Sequence, residues 1–266
     1  MQGGVTSGRA LLYASSVGAI GLGVRSVTRG AVPFEVVAGA VVAFSSVIMA
    51  GVLEPRLAMF TDVINRGEPA PDAPRVALTF DDGPSPEHTP RVLDALAAAE
   101  ARATFFVIGK KLEGERAKLA RRMHEAGHAI GCHGFGHDRL FALRSARRVR
   151  EDLKAALARI EDVTGAPTKL FRPPIGHTNP TIANVAEELE LSVIGFSVRG
   201  YDGTARAERE KVKQRVIDGL ADGAIVLLHD AAEREDFTPV APDILPDVLG
   251  AMRDKKLAGV TVDALI

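Results

Sequence analysis

Residues Leu78–Pro84 read LTFDDGP, and the segments on either side take their meaning from this stretch. Arg75 to Phe80 has the short apolar run of a strand, and Gly83-Pro84 stops it at once. Two adjacent carboxylates, Asp81 and Asp82, therefore fall at a strand's carboxyl end. Neighbouring side chains on a strand point to opposite faces, so only a turn lets both acids converge on one site. Two converging carboxylates repel, and one of them needs a cation nearby or must take up a proton. The plain alternative is a solvated Asp-Asp-Gly turn.

Downstream of this stretch, strand-like and helix-like segments alternate. Apolar strands are predicted at Ala103–Gly109, Ala129–Cys132, Lys169–Arg172, Leu191–Val198, Ala224–Leu228 and Val260–Leu265. Thr89-Pro90 and Asn179-Pro180 have the form of a helix N-cap followed by proline at the first helical position. Ser145 is placed to cap a long helix that runs to about Val163 and ends at Gly165. Seven strands alternating with helices make an α/β chain of parallel βαβ units. A barrel is expected rather than an open sheet, because polar candidates follow most strands, and barrels place their chemistry there.

Upstream the composition changes. Ala10–Val24 and Val36–Leu53 are uncharged apolar runs. At about 1.5 Å per residue the second spans roughly 27 Å, close to a bilayer core. Residues 1–65 are therefore expected to form a membrane segment of two helices, with a signal-peptide core and a buried soluble helix as alternatives. Arg25 and Arg29 between the runs place the connecting loop in the cytoplasm, which puts the rest of the chain outside. Residues 66–74, with prolines at 69, 71 and 74, are predicted to be a stiff linker. A folded domain over 75–266 follows.

Net charge is −1, which excludes a nucleic-acid binder by electrostatics. The single cysteine, Cys132, cannot staple the fold. Tryptophan is absent and aromatics make up 5%, too few for a long sugar-stacking platform.

Five polar motifs follow strands. CHGFGH carries His133 and His137, four apart, a spacing that on a helical turn puts both imidazoles on one face and suits a transition metal. With Asp82 the set becomes two histidines and one carboxylate, which leaves coordination positions open, as catalytic sites do. Two surface histidines are the alternative. Arg172 in FRPPIG is placed to orient a carboxylate. FSVRGYDG ends on Tyr201 and Asp202, and IVLLHD brings His229 out at the barrel mouth.

In these motifs the chain resembles the polysaccharide deacetylase family, the NodB-like carbohydrate esterases, over about residues 75–266. The resemblance implies a distorted seven-stranded (β/α) barrel and metal-dependent removal of an N- or O-acetyl group from a sugar. It implies Asp81 as catalytic base, Asp82, His133 and His137 as ligands of a divalent ion (zinc, with cobalt and nickel also fitting), and Arg172 as the group that holds Asp81. His229 becomes the acid, Leu227 the wall of the acetyl pocket, and the backbone N–H near Ile175, after Pro173, an oxyanion donor. Two positions depart from the family pattern. The fourth motif, often D-x-x-D-W, reads Arg199-Gly200-Tyr201-Asp202-Gly203, and the aromatic after the third motif's proline is Ile175. Asp202 is expected to take over as partner of Arg172, with Arg199 turned outward toward an acidic substrate group. The substrate expected is a glycan such as peptidoglycan or a chitin-like oligosaccharide. A lipid-linked sugar deacylated at the membrane surface and an inactive carbohydrate-binding protein are the alternatives.

Overall fold

The computed structural model describes residues 6–266. Two long helices, α1 (Ser7–Arg29) and α2 (Phe34–Leu53), come first. Then follow β1 (Val63–Ile64), β2 (Arg75–Asp81), α3 (Thr89–Ala98), β3 (Ala103–Val107), α4 (Gly114–Glu125), β4 (Ala129–Cys132) and α5 (Ala146–Thr164). The chain ends with β5 (Leu170–Phe171), α6 (Pro180–Glu188), β6 (Ser192–Ile194), β7 (Val198–Arg199), α7 (Arg209–Gly219), β8 (Ala224–His229), α8 (Ala241–Asp254), β9 (Ala258–Gly259) and α9 (Val262–Leu265).

The strands pair in the order β1-β6-β5-β4-β3-β2-β8-β7, all parallel, with β9 on the start of β2. This is an open barrel, since no strand pairing joins β7 to β1 among the described residues. β2 lies between β3 and β8, and six of its seven residues are buried. Alternation divides it: Val76, Leu78 and Phe80 face the helices, and Ala77 belongs to a smaller core inside the barrel. Thr79 and Asp81 share that inner face, because Arg172 reaches both. The outer core gathers Leu96, Phe105, Leu153, Ile160 and Val226, and each such side chain stabilises by about 1.5–3 kcal/mol.

Three expectations change. Leu191–Val198 is two strands, because at Gly195 the chain leaves one edge for the other: Gly195 N donates to Ile64 O, and Ser197 N to Ile225 O. Val260–Leu265 is no strand. Its buried residues, Val262 and Leu265, lie three apart on one helical face, and α9 plugs the end of the barrel opposite Asp81. The proline-rich stretch is strapped down: Ala70 N and Arg75 N donate to Asp222, and Gly67 N to Gly223 O. With β1 in the sheet, the folded unit begins ahead of Arg75. Of the caps, Asn179 accepts from Ile182 N as expected, whereas Thr89 lies inside the first turn of α3 and its hydroxyl serves Asp230 instead.

α1 and α2 are long and apolar enough to cross a membrane by length and composition, with mean hydropathy 1.4 and 2.4. They leave Val17, Ile20, Val24, Val41 and Val42 exposed. The end of α2 is fastened to the domain: Thr178 N donates to Val52 O and Thr178 Oγ1 to Gly51 O.

Candidate active site

A cleft of about 450 Å³ opens at the carboxyl ends of the strands. Asp81, the last residue of β2, points into it by strand alternation, and Asp82 is brought round by a left-handed backbone conformation (φ 72°). His137 (φ 50°), Ile175 (φ 61°) and Tyr201 (φ 60°) also hold positive φ, and all four line the same cleft. Such conformations are uphill for residues with a Cβ and persist where the surrounding structure over-determines them.

Asp81 and Arg172 form one unit. Arg172 is 2% exposed, and its Nη1 donates to Asp81 Oδ1 (2.8 Å) and Thr79 Oγ1 (2.7 Å). Its Nε and Nη2 donate to the Ile194 and Gly195 carbonyls, and its guanidinium lies over the Phe106 ring. Burial pushes the Asp81 carboxyl up, but the charges of Arg172, His133 and His229 outweigh it and hold the group below the ordinary value of 3.8.

Asp82, His133 and His137 converge beside this pair, with one candidate ligand atom from each within 4.8 Å of the others. His137 Nε2 is 3.2 Å and His133 Nε2 3.6 Å from Asp82 Oδ1. Asp82 Oδ1 is buried and has no hydrogen-bond partner among the described residues. His133 Nδ1 meets the Arg172 carbonyl at 2.7 Å, which fixes its ring and leaves Nε2 for the centre. Burial pushes the His133 imidazole down, toward the neutral form a metal ligand needs. An orphaned carboxylate oxygen and two convergent imidazole nitrogens fit a divalent ion.

The two histidines do not sit on a helical turn. Gly134 (φ 76°) and His137 (φ 50°) leave the helical region, and the loop is shaped by Asp152 of α5, whose carboxylate accepts from Phe135 N (2.7 Å) and Gly136 N (3.2 Å). Glu233 stands behind His137, 3.4 Å from Nδ1, and is tied to Arg139. Lys111 Nζ joins the Asp82 carbonyl (2.9 Å) to that of Ala232 (2.8 Å). Sequence reasoning named none of Asp152, Glu233 and Lys111. Only Glu233, four residues after His229, had a signal in the spacing.

His229 closes the other side. Asp202 is fully buried, accepts from His229 N (2.8 Å) and lies 3.0 Å from His229 Nδ1. It therefore serves the histidine and not Arg172 as expected, whose guanidinium goes instead to Asp81, Thr79 and the Ile194 and Gly195 carbonyls. Enclosed behind the histidine, Asp202 does not line the cleft. Burial opposes a charged imidazole at His229, but Asp202, then Asp82 and Asp81, push it up to about 9. Asp202→Asn is expected to bring the basic limb of a pH–rate profile down from about 9 toward 6.5. The same variant loses the stability that His229 contributes fully below 6.5 and that fades as pH rises to about 9. A limb that stays in place would mean another group sets it.

The remaining candidates divide. Leu227 and Ile175 line the cleft, and Pro173 is buried outside it. Arg199 is exposed and also lines the cleft, with its guanidinium over the Tyr201 ring. Gly203 packs so closely on His229 that a Cβ there would come within 2.8 Å of the ring. Cys132 is buried in the outer core, where burial pushes its thiol up to about 12.

A sequence profile described as polysaccharide deacetylase matches residues 68–194. The chain is 40% identical over 156 residues to the peptidoglycan-N-acetylglucosamine deacetylase PgdA of Listeria monocytogenes, covering 59% of this chain and 32% of that protein. It thus spans about a third of that relative's length. It is 32% identical to a peptidoglycan-N-acetylglucosamine deacetylase of Bacillus cereus, covering 72% of this chain and 87% of the relative. Among solved structures, a family 4 acetyl xylan esterase from Clostridium thermocellum, in complex with a cobalt ion, superposes with a TM-score of 0.65 at 32% identity, covering 71% of this chain and 89% of that one. The open parallel barrel and most of the length of the Bacillus cereus relative are shared, and the chain belongs to the polysaccharide deacetylase family.

Proposed function

We propose that the chain is a metal-dependent hydrolase that removes acetyl groups from a glycan, held at a membrane by α1 and α2 with its cleft on the extracytoplasmic side. The convergence of Asp82, His133 and His137 between the Asp81–Arg172 pair and the Asp202–His229 pair carries this reading. Two relatives are named for peptidoglycan and one for acetyl xylan, so the substrate class is an acetylated glycan.

Zinc suits one carboxylate and two imidazoles, and cobalt and nickel accept the same donors. What such an ion supplies when bound is Lewis acidity for the acetyl carbonyl and for the attacking water. Asp81, kept ionised by Arg172, accepts that water's proton. Arg172 is itself anchored by three further acceptors, so the carboxylate keeps its aim during the reaction. The Ile175 N–H is offered as a donor to the developing oxyanion. His229, cationic up to about 9 through Asp202, donates a proton to the leaving amine or alkoxide. Leu227 walls the space for the acetyl methyl.

The exposed valines and isoleucines of α1 and α2 support the anchor, since water penalises such a surface. The reading is tested by measuring bound metal and acetate release together. The full chain in detergent is expected to hold one divalent ion and to release acetate from N-acetylated peptidoglycan fragments. A His133→Ala, His137→Ala double variant should lose both while keeping its circular dichroism. Retention of a stoichiometric ion would remove the assignment.

A further inference from the structure

Three guanidinium groups and two aromatic rings stack at one side of the cleft mouth. Arg56 lies over Phe196 (5.1 Å from the ζ carbon to the ring centroid), and Arg199 lies over Phe196 (5.8 Å) and Tyr201 (4.8 Å). Arg215 also lies over the Tyr201 ring (4.9 Å). Cation and ring alternate from the turn just after α2, past the cleft, to α7. All three arginines are exposed, and among the described residues none has a carboxylate within the 4.0 Å of an ion pair. Other surface arginines do: Arg139 has Glu233, Arg150 has Glu188 and Arg91 has Asp243.

Their donors are unequally engaged. Arg56 donates to the Phe196 and Ser197 carbonyls, and Arg215 to the Gly200 carbonyl. Arg199 donates to no protein acceptor among the described residues, and of the three it alone lines the cleft with Phe196 and Tyr201. In a chain of net charge −1, three unmatched positive charges in one place make a local field that selects an anion. A guanidinium held flat by ring faces presents its N–H edge as a fork, the geometry that matches a phosphate.

The position of this stack says where the anion comes from. Arg56 is the third residue after α2, and the last turn of α2 is bonded through Thr178 to the turn that carries Ile175. The end of the apolar helix, the arginine stack and the cleft wall are one body. If α2 reaches into a bilayer, Arg199 sits at headgroup depth with the cleft beside it.

Resting on the deacetylase reading above, we propose that the acetylated sugar carries a phosphate group next to the reacting residue, received by Arg199 with Arg56 and Arg215 behind it. A lipid-linked sugar phosphate, its tail left in the bilayer, is the source the anchor favours, and a soluble sugar phosphate is the other.

The test uses the full chain, zinc-loaded, in phosphatidylcholine vesicles. Its substrates are N-acetylglucosamine 1-phosphate, the uncharged methyl glycoside, and the same phosphate esterified to a long-chain lipid alcohol. Acetate release gives kcat and KM, and titration calorimetry gives affinity independently of turnover. The phosphorylated sugar is expected to exceed the methyl glycoside in kcat/KM by about tenfold or more, mainly through KM, as one charge-assisted contact at a partly exposed site supplies. Arg199→Ala should remove that ratio, Arg199→Lys should restore part of it, and high salt should shrink it. A further gain for the lipid ester marks the bilayer source, and equality with the soluble phosphate marks the soluble one. If Arg199→Ala leaves both the ratio and the affinity unchanged, the proposal is overturned. Anionic phospholipid that abolishes binding of the sugar phosphate overturns it too, since the stack would then be a headgroup site. If the wild type binds the sugar phosphate through Arg199 and hydrolyses nothing, the deacetylase reading fails and this one stands.

Discussion

Replacing Asp81 by asparagine is expected to lower turnover by about two to four orders of magnitude while leaving the divalent ion in place. Asp81 is not among the three converging ligand groups, and its carboxylate is occupied by Arg172 rather than aimed at the ligand centre alone. The amide keeps the shape and can still accept from Arg172, so the fold should survive. What it cannot do is take a proton at neutral pH. Single-turnover acetate release together with elemental analysis separates the two effects. Near-normal turnover with full metal would assign the base elsewhere, and loss of the metal would move Asp81 into the ligand set.

The second large effect is on stability. Arg172→Met should destabilise the domain by about 3–5 kcal/mol, the usual result of stranding one partner of a buried ion pair. Asp81 is 4% and Arg172 2% exposed, so water cannot replace the lost contact. Removing the guanidinium also takes a donor from the Ile194 and Gly195 carbonyls and from Thr79 Oγ1, which keeps only its bond to the Val226 carbonyl. The loss is a large fraction of an ordinary domain's stability. A second variant keeps the test informative if the single one fails to fold: Arg172→Met with Asp81→Asn removes the stranded charge and should recover part of the loss. Melting temperatures of the full chain in detergent, with chelator present, measure both. Because Asp81 is held below 3.8, the pair's contribution is full above that pH and is lost as pH falls through the depressed value. A double variant no more stable than the single one would mean that the charge is not what costs.

Much of this arrangement was legible in the sequence, for a physical reason. A parallel strand buried on both faces is a continuous apolar run, so β2 and β8 announce themselves, and polar residues just beyond such runs fall at one end of the barrel. Asp81, Asp82, Arg172 and His229 were found that way. The strand ends do not reveal partnership. Asp202 and Arg172 look complementary along the chain, yet the guanidinium is filled by Asp81, Thr79 and two carbonyls, and Asp202 turns to His229. Short elements were also opaque. Val260–Leu265 fits a strand by its apolar content, and only the burial of Val262 and Leu265 together reveals a turn of helix. Asp152 was hidden because it sits in a charged helix, where a carboxylate that shapes a neighbouring loop looks like any other.

The crossing at Gly195–Ser197 divides the rim of the cleft into two mechanical halves. On the side of β2, every strand is laddered to neighbours on both sides, and the groups proposed to handle protons and the ion stand on that stiff arc. On the other side, one length of chain bridges β1 and β8 without a ladder of its own: Gly195 N donates to Ile64 O, Ser197 N donates to Ile225 O and Ser197 Oγ accepts from Ile225 N, with Phe196 between them. That wall can give by bending one loop, with no ladder broken. Tolerance for glycans of different bulk should therefore be lopsided: variation next to Phe196 is absorbed by the hinge-like seam, and variation toward Leu227 meets a wall that does not yield.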